Sequence, residues 1–238
     1  MQINSIVPLE WDSKFFGYPV AKIAFNKEGA DDMENAFKQI NSENIRLTYI
    51  YADPDDIEIN RQIVKKGCLF VDQKVVFTKT TEKHNTFSNE IIEFQEKEIN
   101  EELLSLALTS GKYSRFRMDK YFTNHEFERL YTEWLSNSIK KTIAFKTLVA
   151  VKEFKLIGIT TLGAKSNYAD IGLVAVNKDH RGHRIGYDLI QTADSIAFDM
   201  GFEEIKVVTQ FANKEACNLY NKCKFQIESV TNIYHYWK

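Results

Sequence analysis

The segment 174–186 (VAVNKDHRGHRIG) joins a run of apolar residues to a basic stretch that contains two glycines. Gly182 and Gly186 lack a Cβ atom, so a phosphate group can approach the backbone closely at both positions. A helix that begins here would add a partial positive charge and N–H groups that favour an anion. The basic or titratable side chains beside the glycines are His180, Arg181, His183 and Arg184. The pattern indicates a cradle for a pyrophosphate, and the alternative is an ordinary strand–helix turn with solvated arginines.

An amide and a phenol occur together in the segment 213–225 (NKEACNLYNKCKF). The amide of Asn213 can hydrogen-bond a polar ligand, and the phenol of Tyr220 can donate a proton to a leaving group. An isolated tyrosine is more often a residue at the edge of a hydrophobic core. The functional interpretation of Tyr220 therefore depends on its spacing from Asn213 and on the basic loop upstream.

Apolar periodicity predicts the elements that would position these residues. Strands are predicted at 45–51, 71–78, 91–94, 147–151, 156–162, 170–176, 205–209 and 226–237. Helices are predicted at 31–40, 57–66, 101–108, 125–139, 182–200 and 214–222. This mixture of strands and helices indicates a mixed α/β fold. The basic loop then connects a strand to the longest predicted helix.

The polar stretch 78–90 (TKTTEKHNTFSNE) has few apolar residues and is predicted to be a linker. It divides the chain into a smaller N-terminal α/β domain, 1–85, and a larger domain, 86–238. The strand–helix–strand pattern of 45–78 parallels that of 205–237, with Val64 at the place of Tyr220. We interpret the first domain as a truncated relative of the second that lacks an active site. The alternative is coincidence between two generic strand–helix–strand stretches.

The two chemical segments together resemble the GNAT superfamily (Gcn5-related N-acetyltransferases). Residues 181–186 match the family's acetyl-CoA loop, Arg/Gln-x-x-Gly-x-Gly/Ala, except that Arg184 stands where the family usually has glycine. Residues 213–225 resemble Asn-x-x-Ala-x-x-Leu-Tyr-x-x-x-Gly-Phe, with Lys224 in place of the glycine. The resemblance implies a central mixed, splayed β-sheet flanked by helices, with acetyl-CoA as the co-substrate.

The resemblance also implies a role for each matching residue. Tyr220 would lie near the acetyl sulfur as general acid, and Asp170 is the carboxylate on the strand where the family often carries a general base. A backbone N–H at Val174 or Val176 would stabilise the oxyanion. Residues implied to bind acetyl-CoA are Val174, Ala175, Val176, Arg181, Gly182, His183, Arg184, Ile185, Gly186 and Asn213. The alternative for Asp170 is a solvated carboxylate at the strand edge.

Within the superfamily, the chain resembles the TDP-fucosamine acetyltransferase group over residues 9–19, 114–138 and 208–210. This resemblance implies a nucleotide-linked amino sugar, a TDP-4-amino-4,6-dideoxyhexose, as the acceptor, and a role in polysaccharide biosynthesis. Arg115 in the loop 114–116 could grip a nucleotide diphosphate, because its planar fork suits phosphate. Ser114 and Phe116 would bind the acceptor beside it, and the alternative is a surface loop whose Phe116 anchors in the core. Asp12, Lys14 and Phe15 could close the same site.

Composition limits the other classes of function. The net charge of −2 argues against a nucleic-acid partner and an anionic membrane surface. Three cysteines without metal-ligand spacing predict free thiols in the cytoplasm and no metal site. A small-molecule substrate is expected, and a homodimer stays open because an exposed apolar face cannot be distinguished from core. Acetylation of a peptide N-terminus or small-molecule amine, and a non-catalytic CoA-binding module, are the remaining alternatives.

Overall fold

The computed structural model describes residues 5–26 and 33–238. By compactness the chain divides into two units, neither of which is one continuous stretch. Unit 1 consists of Met1–Lys74, Met118–Tyr121 and Val230–Lys238, and unit 2 of Val75–Arg117 and Phe122–Ser229. The domain boundary predicted at residue 85 stays a prediction, as does the common origin of the two domains.

Unit 1 contains a small mixed sheet with helices. Its elements are β1 (Val7–Pro8), α1 (Glu10–Phe16), β2 (Val20–Phe25), α2 (Met33–Ser42), β3 (Leu47–Ala52) and α3 (Ile57–Lys65). Strands β4 (Leu69–Thr80) and β10 (Gln226–Trp237) contribute residues to both units. β2 pairs in parallel with β3 along its whole length, while β1 and β10 pair antiparallel with β2 and β3 respectively.

The core of unit 1 follows from side-chain periodicity. Alternate residues of a strand point to the same face of the sheet, and Ile23 and Phe25 of β2 accordingly belong to one buried cluster. On α3, Ile59 and Ile63 lie one helical turn apart on the buried face. The side chain of Asp56 accepts a hydrogen bond from the backbone N–H of Ile59 and so caps the start of α3.

Unit 2 holds the segments singled out by the sequence. Its elements are β5 (Ile91–Glu93), α4 (Glu101–Ser110), α5 (Arg115–Met118), α6 (Glu126–Ile139), β6 (Lys146–Lys152), β7 (Lys155–Lys165), β8 (Tyr168–Val176), α7 (Ile185–Asp199), β9 (Glu204–Gln210) and α8 (Lys214–Lys222). Only the last residue of α5, Met118, is assigned to unit 1. The strand order is β9-β8-β7-β6-β5. Strands β5 to β8 pair antiparallel with their neighbours, and β8 pairs in parallel with β9.

The mixed α/β class is confirmed, and each predicted helix and strand corresponds to an observed one. The periodicity missed β1, α1, β2 and the short α5. The predicted helix 31–40 is observed as Met33–Ser42, and residues 31 and 32 lie outside the described ranges. Within those ranges, no helix has both the length and the apolar character needed to cross a membrane.

Two local features of unit 2 differ from the predictions. The long helix begins at Ile185, not at residue 182, because Gly182 and Arg184 both have positive φ angles, +84° and +63°, which a right-handed helix excludes. The stretch 78–90 is not a free linker, because β4 continues to Thr80 and the residues after it hydrogen-bond to α7.

Candidate active site

Strands β8 and β9 of unit 2 pair over only a part of their length. Their parallel pairing covers Ala169, Asp170 and Ile171, although β8 continues to Val176 and β9 continues to Gln210. The two strands therefore splay apart after Ile171. In unit 1, by contrast, β2 and β3 are both parallel and paired over all six residues. Of these two parallel pairs, β8 and β9 therefore have an opening between them, and β2 and β3 do not.

A β-bulge precedes the splayed part of β8. Thr160 of β7 faces Val174, whereas Leu162 faces Ile171, so β8 carries one extra residue at this point. The side chain of Thr161 accepts the N–H of Leu173 at 2.9 Å. Bulges redirect the backbone locally and are frequent beside active sites.

Beyond the bulge, the direction of the N–H groups of β8 follows from the pairing of Asn177. The N–H of Asn177 donates to the carbonyl oxygen of Ile157 on β7 at 2.8 Å. Because backbone N–H groups alternate sides along a strand, those of Val174 and Val176 point away from β7, toward β9. β9 no longer pairs with β8 there. Backbone donors are therefore directed into the opening between the strands, as an oxyanion site requires.

The basic loop connects the end of β8 to α7. Arg181, Gly182, His183 and Arg184 are all exposed. Gly182 has φ +84° and open space around its Cα, and Arg184 adopts φ +63° as the residue before the helix. The first hydrogen bond of α7 runs from the N–H of Asp188 to the carbonyl of Arg184, so the N–H groups before Asp188 are directed out of the helix. The loop has the exposed donors and positive charge that fit a diphosphate.

Helix α8 carries the two polar residues of the second segment. Asn213 is its N-cap, and the Oδ1 atom accepts a hydrogen bond from the N–H of Ala216 at 3.2 Å. Capping uses the acceptor atom of the amide, whereas a pantetheine carbonyl would require the donor Nδ2. Tyr220 is 3% exposed, and its ring packs against those of Phe77 and Phe225. Burial, then the neighbouring Cys217 and Cys223, raise the pKa of Tyr220 above its usual value.

The structure brings the loop, the end of β8 and α8 together. A Cβ atom on Gly186 would lie 3.2 Å from Leu219 and 3.5 Å from Val176, so glycine permits the close approach of α7 to both. Arg181 binds Glu215 of α8 at 2.9 Å and donates to the carbonyl oxygen of Val176 at 3.3 Å. The pyrophosphate loop predicted from the sequence therefore lies against the helix that carries Tyr220.

Asp170 lies on the paired part of β8, before the bulge. Its carboxylate forms an ion pair with Lys165 at 2.7 Å, and the side chain is 17% exposed. Val174 and Val176 follow further along the same strand. The structure therefore places Asp170 before the opening, and its role as general base stays a prediction.

The loop 114–116 is the first turn of the short helix α5. Ser114 is buried, and its hydroxyl accepts the N–H of Phe116 at 3.3 Å. Phe116 is 5% exposed and packs against Phe122 and Trp134, which favours the alternative that this ring anchors the loop in the core. The guanidinium of Arg115 lies 4.6 Å from the centre of the Phe116 ring. Acceptor binding by these three residues stays a prediction.

The N-terminal candidates lie on α1 in unit 1. The carboxylate of Asp12 accepts a hydrogen bond from the hydroxyl of Tyr49 at 3.0 Å, and Phe15 stacks on Trp11 with ring centres 5.2 Å apart. Lys14 is exposed. Contact of these residues with the acceptor stays a prediction.

Sequence reasoning missed Thr161 and Phe77 as residues that support the site. Thr161 fixes the bulge, and Phe77 packs against the ring of Tyr220. Both act through partners distant in the chain, and no local motif marks them. The thiol of Cys223 is buried, and burial raises its pKa to about 12, so the group stays a neutral thiol.

Comparison with known proteins gives the class of this protein. Residues 111–225 match the model of the acetyltransferase (GNAT) family, and this range includes β8, the basic loop and Tyr220. The chain therefore contains a GNAT acetyltransferase domain and is an acetyl-CoA-dependent N-acetyltransferase. The crystal structure of a GCN5-related N-acetyltransferase from Sphaerobacter thermophilus shares the fold, with a TM-score of 0.59 at 14% identity, over 92% of this chain and 73% of that one.

Two curated proteins are similar in sequence. The dTDP-fucosamine acetyltransferase of Escherichia coli O6:H1 is 25% identical over 237 residues, which cover 98% of this chain and 96% of that protein. A streptothricin acetyltransferase of Escherichia coli is 32% identical over 98 residues, which cover 35% of this chain and 56% of that protein. The first similarity extends through both units, and the second is confined to a part of the chain.

Proposed function

We propose that this enzyme transfers the acetyl group of acetyl-CoA to the amino group of a nucleotide-linked amino sugar, such as a TDP-4-amino-4,6-dideoxyhexose. The observation that carries the transfer chemistry is the opening between β8 and β9. It holds the N–H groups of Val174 and Val176, and the loop 181–186 and the helix of Tyr220 pack beside it. The similarity to a dTDP-fucosamine acetyltransferase over 98% of the chain supports the acceptor class.

The first step is the attack of a neutral amine on the thioester carbonyl. The N–H of Val174 or Val176 donates to the oxyanion of the tetrahedral intermediate, and loss of one such donor typically costs about 3 kcal/mol. The loop 181–186 holds the diphosphate of the co-substrate, and Asn213 bonds its pantetheine arm. Holding both substrates in line supplies much of the rate, because it removes the entropy of their encounter.

Tyr220 acts in the second step, when the carbon–sulfur bond breaks. Its raised pKa keeps the phenol protonated in the resting enzyme, so the O–H is present to donate to the departing sulfur as general acid. The amine loses one proton as the amide forms, and that proton leaves through the general base. Asp170, acting through water, is the proposed base. Tyr220 regains its own proton from solvent.

The acceptor is proposed to bind beside the loop 114–116. Arg115 is partly exposed at the start of α5 and carries the planar donors that suit a diphosphate. Ser114 and Phe116 hold this turn in place. An acceptor that carries a diphosphate would therefore gain more from Arg115 than a simple amine would.

A product assay tests this function. The purified protein is incubated with acetyl-CoA and a panel of TDP- and UDP-linked amino sugars, streptothricin and a peptide with a free N-terminus, and products are identified by mass spectrometry. We expect acetylation of a TDP-4-amino-4,6-dideoxyhexose with release of one thiol per product. Acetylation of streptothricin or the peptide, without any nucleotide sugar, would refute the proposed acceptor. If none of these acceptors leads to release of thiol, the protein is a CoA-binding module and not an acetyltransferase for any of them.

A further inference from the structure

Residues 81–89, here named the strap, run between β4 and β5 and follow α7 in the opposite direction. The N–H of Glu82 donates to the carboxylate of Asp194 at 3.2 Å, and the N–H of His84 donates to the hydroxyl of Ser195 at 2.9 Å. These contacts lie near the C-terminal end of α7. The first half of the strap is therefore fixed to the helix by its backbone.

Buried charges secure this first half. The carboxylate of Asp194 is fully buried, and it bonds the ammonium of Lys79 and the imidazole of His84, each at 2.7 Å. Lys79 also bonds Glu82 at 2.9 Å. Burial lowers the pKa of Lys79, but its two carboxylate partners outweigh burial and leave the pKa raised. The lysine thus supplies positive charge to this acidic cluster, which fixes the strap at Glu82 and His84.

The second half of the strap reaches the N-terminal end of α7. The carboxylate of Asp188, 1% exposed in the first turn of the helix, accepts the N–H of Ser88 at 3.2 Å and the side-chain amide of Asn89 at 2.6 Å. The same Nδ2 atom of Asn89 donates to the carbonyl oxygen of His183 at 3.0 Å. Asn89 is therefore a bridge between the buried Asp188 and the backbone of the basic loop.

The bond to His183 fixes the direction of one peptide group. In a trans peptide the C=O and the following N–H point in opposite directions. Because Asn89 holds the carbonyl of His183, the N–H of Arg184 must point away from the strap. Arg184 has φ +63°, a conformation that a residue with a side chain adopts only when its surroundings enforce it. The contact with Asn89 is one such constraint.

We propose that Asn89 is a positioning residue for the pyrophosphate loop. It holds the His183–Arg184 peptide so that the N–H of Arg184 faces the diphosphate of coenzyme A, and Asp188 fixes the amide of Asn89 for this purpose. This inference rests on the proposed placement of the diphosphate at residues 181–186. Asn89 thus has a positioning role, although the segment that contains it has the composition of a linker.

Titration calorimetry with coenzyme A tests the proposal, and it needs no acceptor. Asn89→Ala removes the donor, Asn89→Leu removes it while keeping most of the bulk, and Asn85→Ala is the matched control at an exposed position of the strap. We expect both Asn89 variants to weaken coenzyme A binding about three- to tenfold, the range for one hydrogen bond. Asn85→Ala should bind as the wild type does.

A donor without a diphosphate separates positioning from general damage. With S-acetylpantetheine and the acceptor found in the product assay, the Asn89 variants should match the wild-type kcat/KM, whereas with acetyl-CoA their KM should rise and kcat should stay. Unchanged coenzyme A affinity in both Asn89 variants, or equal losses with both donors, would overturn the role of Asn89. If the wild type itself uses both donors with equal KM, the diphosphate does not bind at the loop and the underlying site is wrong.

Discussion

The hydroxyl of Thr161 on β7 accepts a hydrogen bond from the backbone N–H of Leu173 on β8, with 2.9 Å between oxygen and nitrogen. The bond lies at the bulge where the register of the two strands shifts. A side chain there satisfies a buried backbone donor at the point where the regular ladder is interrupted. The bulge in turn sets the direction of the N–H groups at Val174 and Val176.

Thr161→Val is predicted to lower both stability and turnover. The substitution leaves the N–H of Leu173 buried without its acceptor, which costs about 1–3 kcal/mol of unfolding free energy. Because the bulge positions the N–H groups proposed to bind the oxyanion, kcat should fall about tenfold or more. Urea denaturation and steady-state kinetics measure the two effects. If the variant keeps the kcat of the wild type, the bulge has no role in catalysis.

The neighbouring residue provides a matched control. Thr160 is fully buried, and its hydroxyl has no hydrogen-bond partner among the described residues. Thr160→Val therefore removes a hydroxyl that makes no bond, and it should leave stability unchanged or slightly raised. A loss as large as that of Thr161→Val would mean that any change of volume on β7 is harmful, and it would remove the special role of the Thr161 bond.

Tyr220→Phe is predicted to lower kcat about tenfold or more while coenzyme A affinity stays near that of the wild type. The substitution removes the phenolic O–H and keeps the ring that packs against Phe77 and Phe225. Removing a general acid typically costs about 10²–10⁴ in rate, and proton transfer from water recovers part of it. Steady-state kinetics measures kcat, and titration calorimetry measures the affinity for coenzyme A. An unchanged kcat would exclude Tyr220 as the general acid.

The raised pKa of Tyr220 predicts the alkaline side of the pH profile. Burial favours the neutral phenol, so Tyr220 stays protonated above the pH of about 10 at which an exposed tyrosine titrates. We therefore expect that kcat does not decline through loss of the Tyr220 proton between pH 8 and roughly 10. The kcat profiles of the wild type and Tyr220→Phe should have the same shape in this range. A decline in the wild type alone would contradict the raised pKa.

The elements around the active site could be predicted from the sequence because their signals are local. Residues 181–186 and 213–225 are short motifs, and α7 and α8 have apolar faces at helical spacing. The predicted start of α7 is three residues too early because Arg184 has a left-handed backbone conformation. The residue type of arginine gives no indication of such a conformation. Glycine at 182 is compatible with a positive φ angle, but the residue type at 184 does not indicate one.

Long-range pairing could not be predicted in the same way. The bulge of β8 depends on Thr161 in another strand, and a one-residue shift of register leaves no mark on composition. The strap is held in place by bonds from its backbone to Asp194 and Asp188, about a hundred residues further along the chain. Polar composition alone is equally typical of a solvated linker.

Arg115→Ala is predicted to raise the KM for a nucleotide-sugar acceptor about tenfold, with little change in the KM for acetyl-CoA. A guanidinium that binds a diphosphate contributes about 1.5–3 kcal/mol through charge-assisted hydrogen bonds. Arg117→Ala is the control, because Arg117 is exposed on the same short helix and lies over the ring of Phe127. If the two substitutions change the KM for the acceptor equally, or not at all, Arg115 does not bind the acceptor.

Asp119→Asn is predicted to destabilise unit 1 in a pH-dependent manner. Asp119 is 2% exposed and bonds His235 at 2.6 Å, Trp237 at 2.8 Å and the N–H of Tyr121 at 2.9 Å. Burial raises the pKa of Asp119, but these hydrogen bonds outweigh it and lower the pKa below its usual value. A lowered pKa stabilises the folded state above the unfolded pKa of about 4, and the contribution is lost as pH falls through the folded pKa.

The variant should therefore lose about 2 kcal/mol of unfolding free energy at pH 7, and the difference from wild type should narrow toward pH 3. Urea denaturation at both pH values measures this, with Asp55→Asn as the exposed control. A difference that is the same at pH 7 and pH 3 would mean that the carboxylate charge of Asp119 does not stabilise the fold.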